Sequence, residues 1–122
     1  MKNINRITVS GNLTADAEKR GKNMPLQFAI ACNETRKEGD EWTEYANFFD
    51  CVIFGKRADS LKEYLKKGLK VCVSGRLHQS RWEDKDGNPR RAVSIYVDDL
   101  EFMAKRGENA KKPETAYDDI PF

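Results

Sequence analysis

Between residues 47 and 54 the chain reads NFFDCVIF, a run whose residue types could serve two surfaces at once. Successive side chains of a strand point to opposite faces. Phe49, Cys51 and Ile53 then share one face, suited to a barrel interior, and Phe48, Asp50, Val52 and Phe54 share the other. Asp50 does not belong in an apolar core, so its face meets solvent and carries two phenylalanines there. Continued backwards without a bulge, the same parity adds Trp42. A second run, KVCVSGRLHQSRW, repeats the pattern: Val71, Val73 and Leu77 point in, whereas Cys72, Ser74, Arg76, His78, Ser80 and Trp82 point out. Lys56, Arg57, Arg76 and Arg81 are interleaved with these aromatics. Rings that stack on unpaired bases, worth about 1–3 kcal/mol per base, and cations that track phosphates are the chemistry of single-strand binding.

Other chemistries find less support. His78 is the only histidine, and no readable motif pairs it with a nucleophile. Asp98, Asp99 and Glu101 suggest a metal site, but adjacent strand residues face opposite ways, so Asp98 and Asp99 do not easily share one ion. No glycine-rich phosphate loop precedes a helix. No catalysis, metal or cofactor is expected. Any one of the outward aromatics, taken alone, fits packing against a subunit or the helix better than it fits a ligand. Four of them beside basic residues favour binding. Tyr45, Tyr64 and Tyr96 are read as packing residues, and the lysines of KEYLKK as a solvated helix face.

The elements that must hold these residues follow from periodicity. RITVSGNLT alternates, with Ile7, Val9 and Leu13 on one face and Gly11 where a bulge is tolerated. LQFAIAC is a second strand with Leu26, Phe28, Ile30 and Cys32 inward. NETRKEGDEWTE is a long hairpin or mobile loop about Gly39. YANFFDCVIFG is the third strand. ADSLKEYLKKG shifts to helical spacing through Ala58, Leu61 and Leu65, with Asp59 or Ser60 as caps and Gly68 after its end. LKVCVSGRL is the fourth strand, EDKDGNP a hairpin turn, and RRAVSIYVDDLEFM the fifth strand, with Val93, Ile95 and Val97 alternating. Five strands with one helix between the third and fourth is the order of the OB-fold. That is an all-β, five-stranded, partly open Greek-key barrel, which commonly binds oligonucleotides.

At 122 residues and 14.0 kDa the chain has room for one domain with a core. The expected organisation is a barrel domain over 1–103, a flexible linker over 104–116 and an acidic tip over 117–122. Residues 1–106 carry 20 Lys/Arg against 16 Asp/Glu, and residues 107–122 carry 2 against 4. A basic body with an acidic end points modestly to a polyanion ligand and an interaction tail. The N-terminus lacks a signal-peptide core and no apolar run is long enough to span a membrane, so the cytoplasm is the expected compartment. Cys32, Cys51 and Cys72 each sit in an apolar run and are read as small buried hydrophobes in a reducing compartment.

Taken together, VSGNLTADAE, NFFDCVIFGKRADSLKEYLKKGLKVCVSGRL, SRWEDKDGNPR and the closing DDIPF resemble the bacterial-type single-stranded DNA-binding protein family, in order and over nearly the whole chain. The resemblance implies a homotetramer of OB-folds with single-stranded DNA wrapped on the outer surface, near the nucleoid. It places base-stacking aromatics at Phe48, Phe54 and Trp82 and basic contacts at Lys56 and Arg81. Many members carry a stacking tryptophan shortly after the second strand, where this chain has ETRK. Trp42 stands on the opposite arm of that hairpin. DDIPF resembles the family's C-terminal motif that recruits helicases, nucleases and other genome-maintenance proteins. On that reading Phe122 enters an apolar pocket, its carboxylate meets a cation, Asp118 and Asp119 steer, and Ile120 and Pro121 complete the motif. An OB-fold module whose aromatics pack on protein partners is the runner-up, and an OB-fold nuclease a distant third. RNA remains open as a ligand, because stacking and phosphate contacts discriminate poorly without a 2′-OH contact.

Overall fold

The computed structural model describes residues 2–103. The linker read at 104–116 and the tip read at 117–122 lie outside the described residues. The elements are β1 (Ile7–Leu13), β2 (Glu18–Lys19), β3 (Leu26–Glu38), β4 (Glu41–Ile53), α1 (Arg57–Lys62), β5 (Lys70–Glu83) and β6 (Pro89–Met103). The sheet runs β1-β5-β6-β4-β3-β2, and β1 also pairs with β3, which closes the five long strands into a ring. β6 lies antiparallel to β5 and parallel to β4. This is the OB-fold expected from the element order, with the two-residue strand β2 added between the first two strands expected.

The ring closes because inward positions are apolar and two glycines permit close approach. Leu13, Leu26, Phe28, Ile30, Cys51, Ile53, Val71, Val73, Ile95 and Val97 fill the interior, each strand contributing alternate residues. Ala58 of α1 and Leu65, three residues past its end, are buried in the same core. Where β1 crosses onto β3, a Cβ on Gly11 would come 2.5 Å from the Ala31 carbonyl oxygen, so only glycine fits there. Gly75 sits beside a one-residue register shift. Ser74 pairs with Asp99 but Gly75 pairs with Val97, leaving Asp98 as the extra residue of a bulge on β6. A Cβ on Gly75 would run into the Tyr96 carbonyl.

Beyond the barrel two hairpins continue as bare ribbons. β3 and β4 stay in unbroken register out to Glu38 and Glu41, turning at Gly39 with φ of 64°, so the segment that could have been a mobile loop is a hairpin arm. β5 and β6 pair out to Glu83 and Pro89. The turn between them is held by Asp84, whose carboxylate accepts the backbone N–H groups of Asp86 and Asn88 and the Arg90 Nε–H. The Asn88 bond above all holds that carboxyl below its ordinary range.

Several local expectations need correction. Leu77 and Val93 keep inward parity but are 41% and 50% exposed: β1 pairs with β5 only as far as Gly75, so Leu77 lacks a strand on that side, and Val93 lies past the last pairing of β6 with β4. The helix is only six residues long and Lys56 begins it with no side-chain cap. Neither Asp59 nor Ser60 caps it, and Asp59 instead pairs with Lys19 at 2.6 Å. Leu65 falls outside the helix, although it is fully buried. Of the cysteines only Cys51 is buried, whereas Cys32 and Cys72 are half-buried. Cys32 sits at the barrel mouth, and Cys72 points outward on β5.

Candidate nucleic-acid interface

The outer face of β4 is the spine of the site. Its register with β3 is continuous from Ile53 to Glu41, so no bulge switches its faces. Trp42, Phe48, Asp50, Val52 and Phe54 therefore follow one another on the same side. Phe48 and Trp42 are each 67% exposed and Phe54 is 49% exposed, high values for rings of this size. The flanking strands extend the face sideways through two rows. Gln27, Val52, Tyr96 and Arg76 are paired across β3, β4, β6 and β5. Ala29, Asp50, Ser94 and His78 form the next row.

Tyr96 organises the centre of this face. Phe54 meets its ring edge-on, His78 stacks on it with centroids 4.3 Å apart and planes at 19°, and the Arg76 guanidinium lies 5.3 Å from its centroid. The arrangement fixes the rings through favourable aromatic and cation–π contacts. A cleft of about 610 Å³ opens beside it, with Gln27, Asp50, Val52, Phe54, Ser94 and Tyr96 among its lining residues. Tyr96 is thus more than the packing residue its sequence context suggested. No local signal could have shown this, since its neighbours come from two other segments, the end of β4 and β5.

The arms carry the outlying aromatics. Lys37 pairs with Trp42 across the first hairpin and holds its ammonium 5.8 Å from the indole. Trp82 pairs with Arg90 across the second hairpin, and the two help line a cleft of about 540 Å³. Arg90, not singled out from the sequence, shares the face of Trp82. Arg81 precedes Trp82 directly and so leaves the ribbon on the opposite face. Its Nε–H donates to Gln79 Oε1 at 3.1 Å.

The basic residues divide into two kinds. Lys56 is exposed at the start of α1, immediately after the Phe54-Gly55 corner. Arg57 behaves differently. Its two terminal nitrogens donate to the backbone carbonyls of Val97 and Asp98, at the β6 bulge. It ties the helix to the sheet at the bulge.

With this geometry in view, comparison with known proteins is decisive about family. Residues 4–103 match the model of the single-strand binding protein family. The chain belongs to that family. A single-stranded DNA-binding protein of Borreliella burgdorferi is 46% identical over 108 residues, covering 85% of this chain and 72% of the relative. One from Treponema pallidum is 38% identical over 106 residues, covering 84% of this chain and 60% of the relative. A solved structure described as Plasmodium falciparum SSB complex with ssDNA superposes with a TM-score of 0.75, at 24% identity. It covers 85% of this chain and 98% of its own, and shows that the two share a fold.

Proposed function

We propose that the protein binds and protects single-stranded DNA on the outer face of its barrel and arms. Bases stack on Trp42, Phe48, Phe54 and Trp82, and phosphates are met by Lys56, Arg76 and Arg81. Arg57 is assigned to holding the bulge rather than to the ligand, because its terminal nitrogens are already engaged within the protein. The observation that carries the reading is the row of exposed rings along one face of β4, in a member of the single-strand binding family. Such rings cost solvation unless something flat covers them, and unpaired bases are flat and sequence-tolerant.

Titration of the intrinsic tryptophan fluorescence with oligo-dT, with duplex of equal length and across a salt series tests this reading. Quenching by the single strand alone, weakening as salt rises, is the expected result. Absence of any binding to oligo-dT would overturn it.

The finer parts of the proposal concern assembly and partners. The protein works as a homotetramer in the cytoplasm, associated with the nucleoid. It serves DNA replication, recombination and repair by bringing helicases and nucleases to the coated strand through Asp118, Asp119, Ile120, Pro121 and Phe122. The acidic and apolar character of that segment supports the reading, since it suits a cation-rimmed apolar pocket. Sedimentation at micromolar concentration tests the tetramer. Deleting residues 118–122 should abolish helicase pull-down and leave oligo-dT binding intact. Retained pull-down would remove the recruitment claim.

A further inference from the structure

An acidic side chain in the middle of a phosphate-binding face needs a reason. Asp50 is exposed, and neither ion pair among the described residues includes it, for Lys19 holds Asp59 and Arg90 holds Asp84. Its cross-strand neighbours are Ala29 on β3 and Ser94 on β6, both too small to cover it. Phe48 stands two residues back on the same face, roughly 7 Å along the strand. Ahead of it lie Phe54 and Tyr96, with which it lines the central cleft. The other charged groups in that cleft are Arg20, Glu18 and Asp16. Asp16 already accepts the Lys67 backbone N–H at 2.8 Å. Among the described residues Asp50 is therefore an acceptor without a donor, set among stacking rings.

An ionised carboxylate only accepts hydrogen bonds. It repels phosphate, so a strand stacked on these rings turns base edges toward it and keeps its backbone toward the cations. The edges that satisfy a carboxylate carry exocyclic amino groups: N4 of cytosine, N6 of adenine and N2 of guanine. Thymine and uracil present carbonyl oxygens and a single ring N–H. We propose that Asp50 is a base-reading residue that accepts hydrogen bonds from exocyclic amino groups and biases the face toward amino-bearing bases over thymine. The proposal rests on the outer face being the nucleic-acid surface and adds a chemical preference at one station of it.

The test compares the full chain with Asp50→Asn and Glu44→Gln, titrating each with oligo-dC and oligo-dT of equal length at one salt concentration. Homopolymers differ in their own stacking, so the quantity read is how each substitution changes the dC-to-dT affinity ratio. Glu44 is exposed on the same face of β4, outside the cleft, and controls for loss of one negative charge. Asp50→Asn should lower the dC-to-dT ratio about fivefold or more, the low end of discrimination by a good base contact. Glu44→Gln should strengthen both ligands alike and leave the ratio unchanged. If Asp50→Asn merely strengthens both ligands as Glu44→Gln does, Asp50 is only an electrostatic brake and the proposal fails while the binding reading stands. If the parent chain binds neither oligomer, both fail together. Unchanged melting temperatures confirm that each variant is folded.

Discussion

Phe54 meets the ring of Tyr96 edge-on, with centroids 4.9 Å apart and planes at 72°. The contact joins the end of β4 to the middle of β6. It sets the angle at which Phe54 stands out from the barrel, so a half-buried tyrosine governs an exposed phenylalanine. Replacing Tyr96 by Phe keeps the ring and should leave oligo-dT affinity within about twofold. Replacing it by Val removes the edge contact and the platform under His78, and should weaken binding by about five- to tenfold, the low end for one stacking contact. Fluorescence titration of the two variants side by side checks this, and equal affinities would remove Tyr96 from the interface.

Lys56 and Arg57 are neighbours in sequence with different work to do. Alanine at Lys56 or Arg81 should lower the slope of log affinity against log salt by about 0.7, the value for one phosphate contact on a single strand. Alanine at Arg57 should leave that slope nearly unchanged. It should instead lower folding stability by about 1–2 kcal/mol, because two backbone carbonyls lose a charged donor. Denaturant melts paired with salt-series titrations separate the two outcomes.

Gly75 admits no side chain. Its absent Cβ leaves room for the Tyr96 carbonyl across the ladder, and both strands are committed there by the bulge. Gly75→Ala should destabilise by about 3 kcal/mol or more, at the upper end for overpacking, since backbone rather than a flexible side chain must give way. A Gly75→Ala chain that melts like the parent would show that the strands part more easily than this geometry implies.

Burial pushes the Cys51 thiol up to about 12, and the charge of neighbouring Asp50 adds to the shift. The thiolate is the nucleophile, so at pH 8 Cys51 should alkylate far more slowly than the half-buried Cys32 and Cys72. The sign for stability follows from the same shift. A folded value above the unfolded one means that the native state holds the proton more tightly. The contribution is full below the unfolded value near 9 and is lost as pH rises from there toward 12. Mass-resolved alkylation in native buffer and in denaturant gives the rates, and the difference in alkaline stability between the parent and Cys51→Val gives the sign.

How much of this was legible in the sequence depends on whether neighbours or distant strands decide the question. Parity along NFFDCVIF was enough to turn Phe48 and Phe54 outward, because β4 carries no bulge and one buried face imposes its register on the other. Parity also gave the side of Leu77 and Val93, but not their exposure. Side is a local property, whereas exposure depends on where the barrel stops. Nothing along β6 announced the bulge at Asp98, which answers the need of β5 and β6 to pair on both sides of Gly75. Lys56 and Arg57 read alike until the fold brought two carbonyls to one of them. Tyr96 looked like packing because the residues that make it an organiser come from β4 and β5.

β6 is the last of the described strands to be made, yet it lies between β5 and β4 in the ring. The β3–β4 and β5–β6 hairpins can each form from contiguous chain, but the join between them is only three residue pairs long: Asp50 with Ser94, Cys51 with Ile95 and Val52 with Tyr96. Until residues 94–96 have left the ribosome, β4 keeps an unpaired edge beside the outward phenylalanines, the kind of surface that aggregates. Docking of the second hairpin closes the barrel and brings Tyr96 against Phe54 in the same event. Maturation of the chain and assembly of its ligand-binding face are therefore a single step in time, and damage to the seam removes both together.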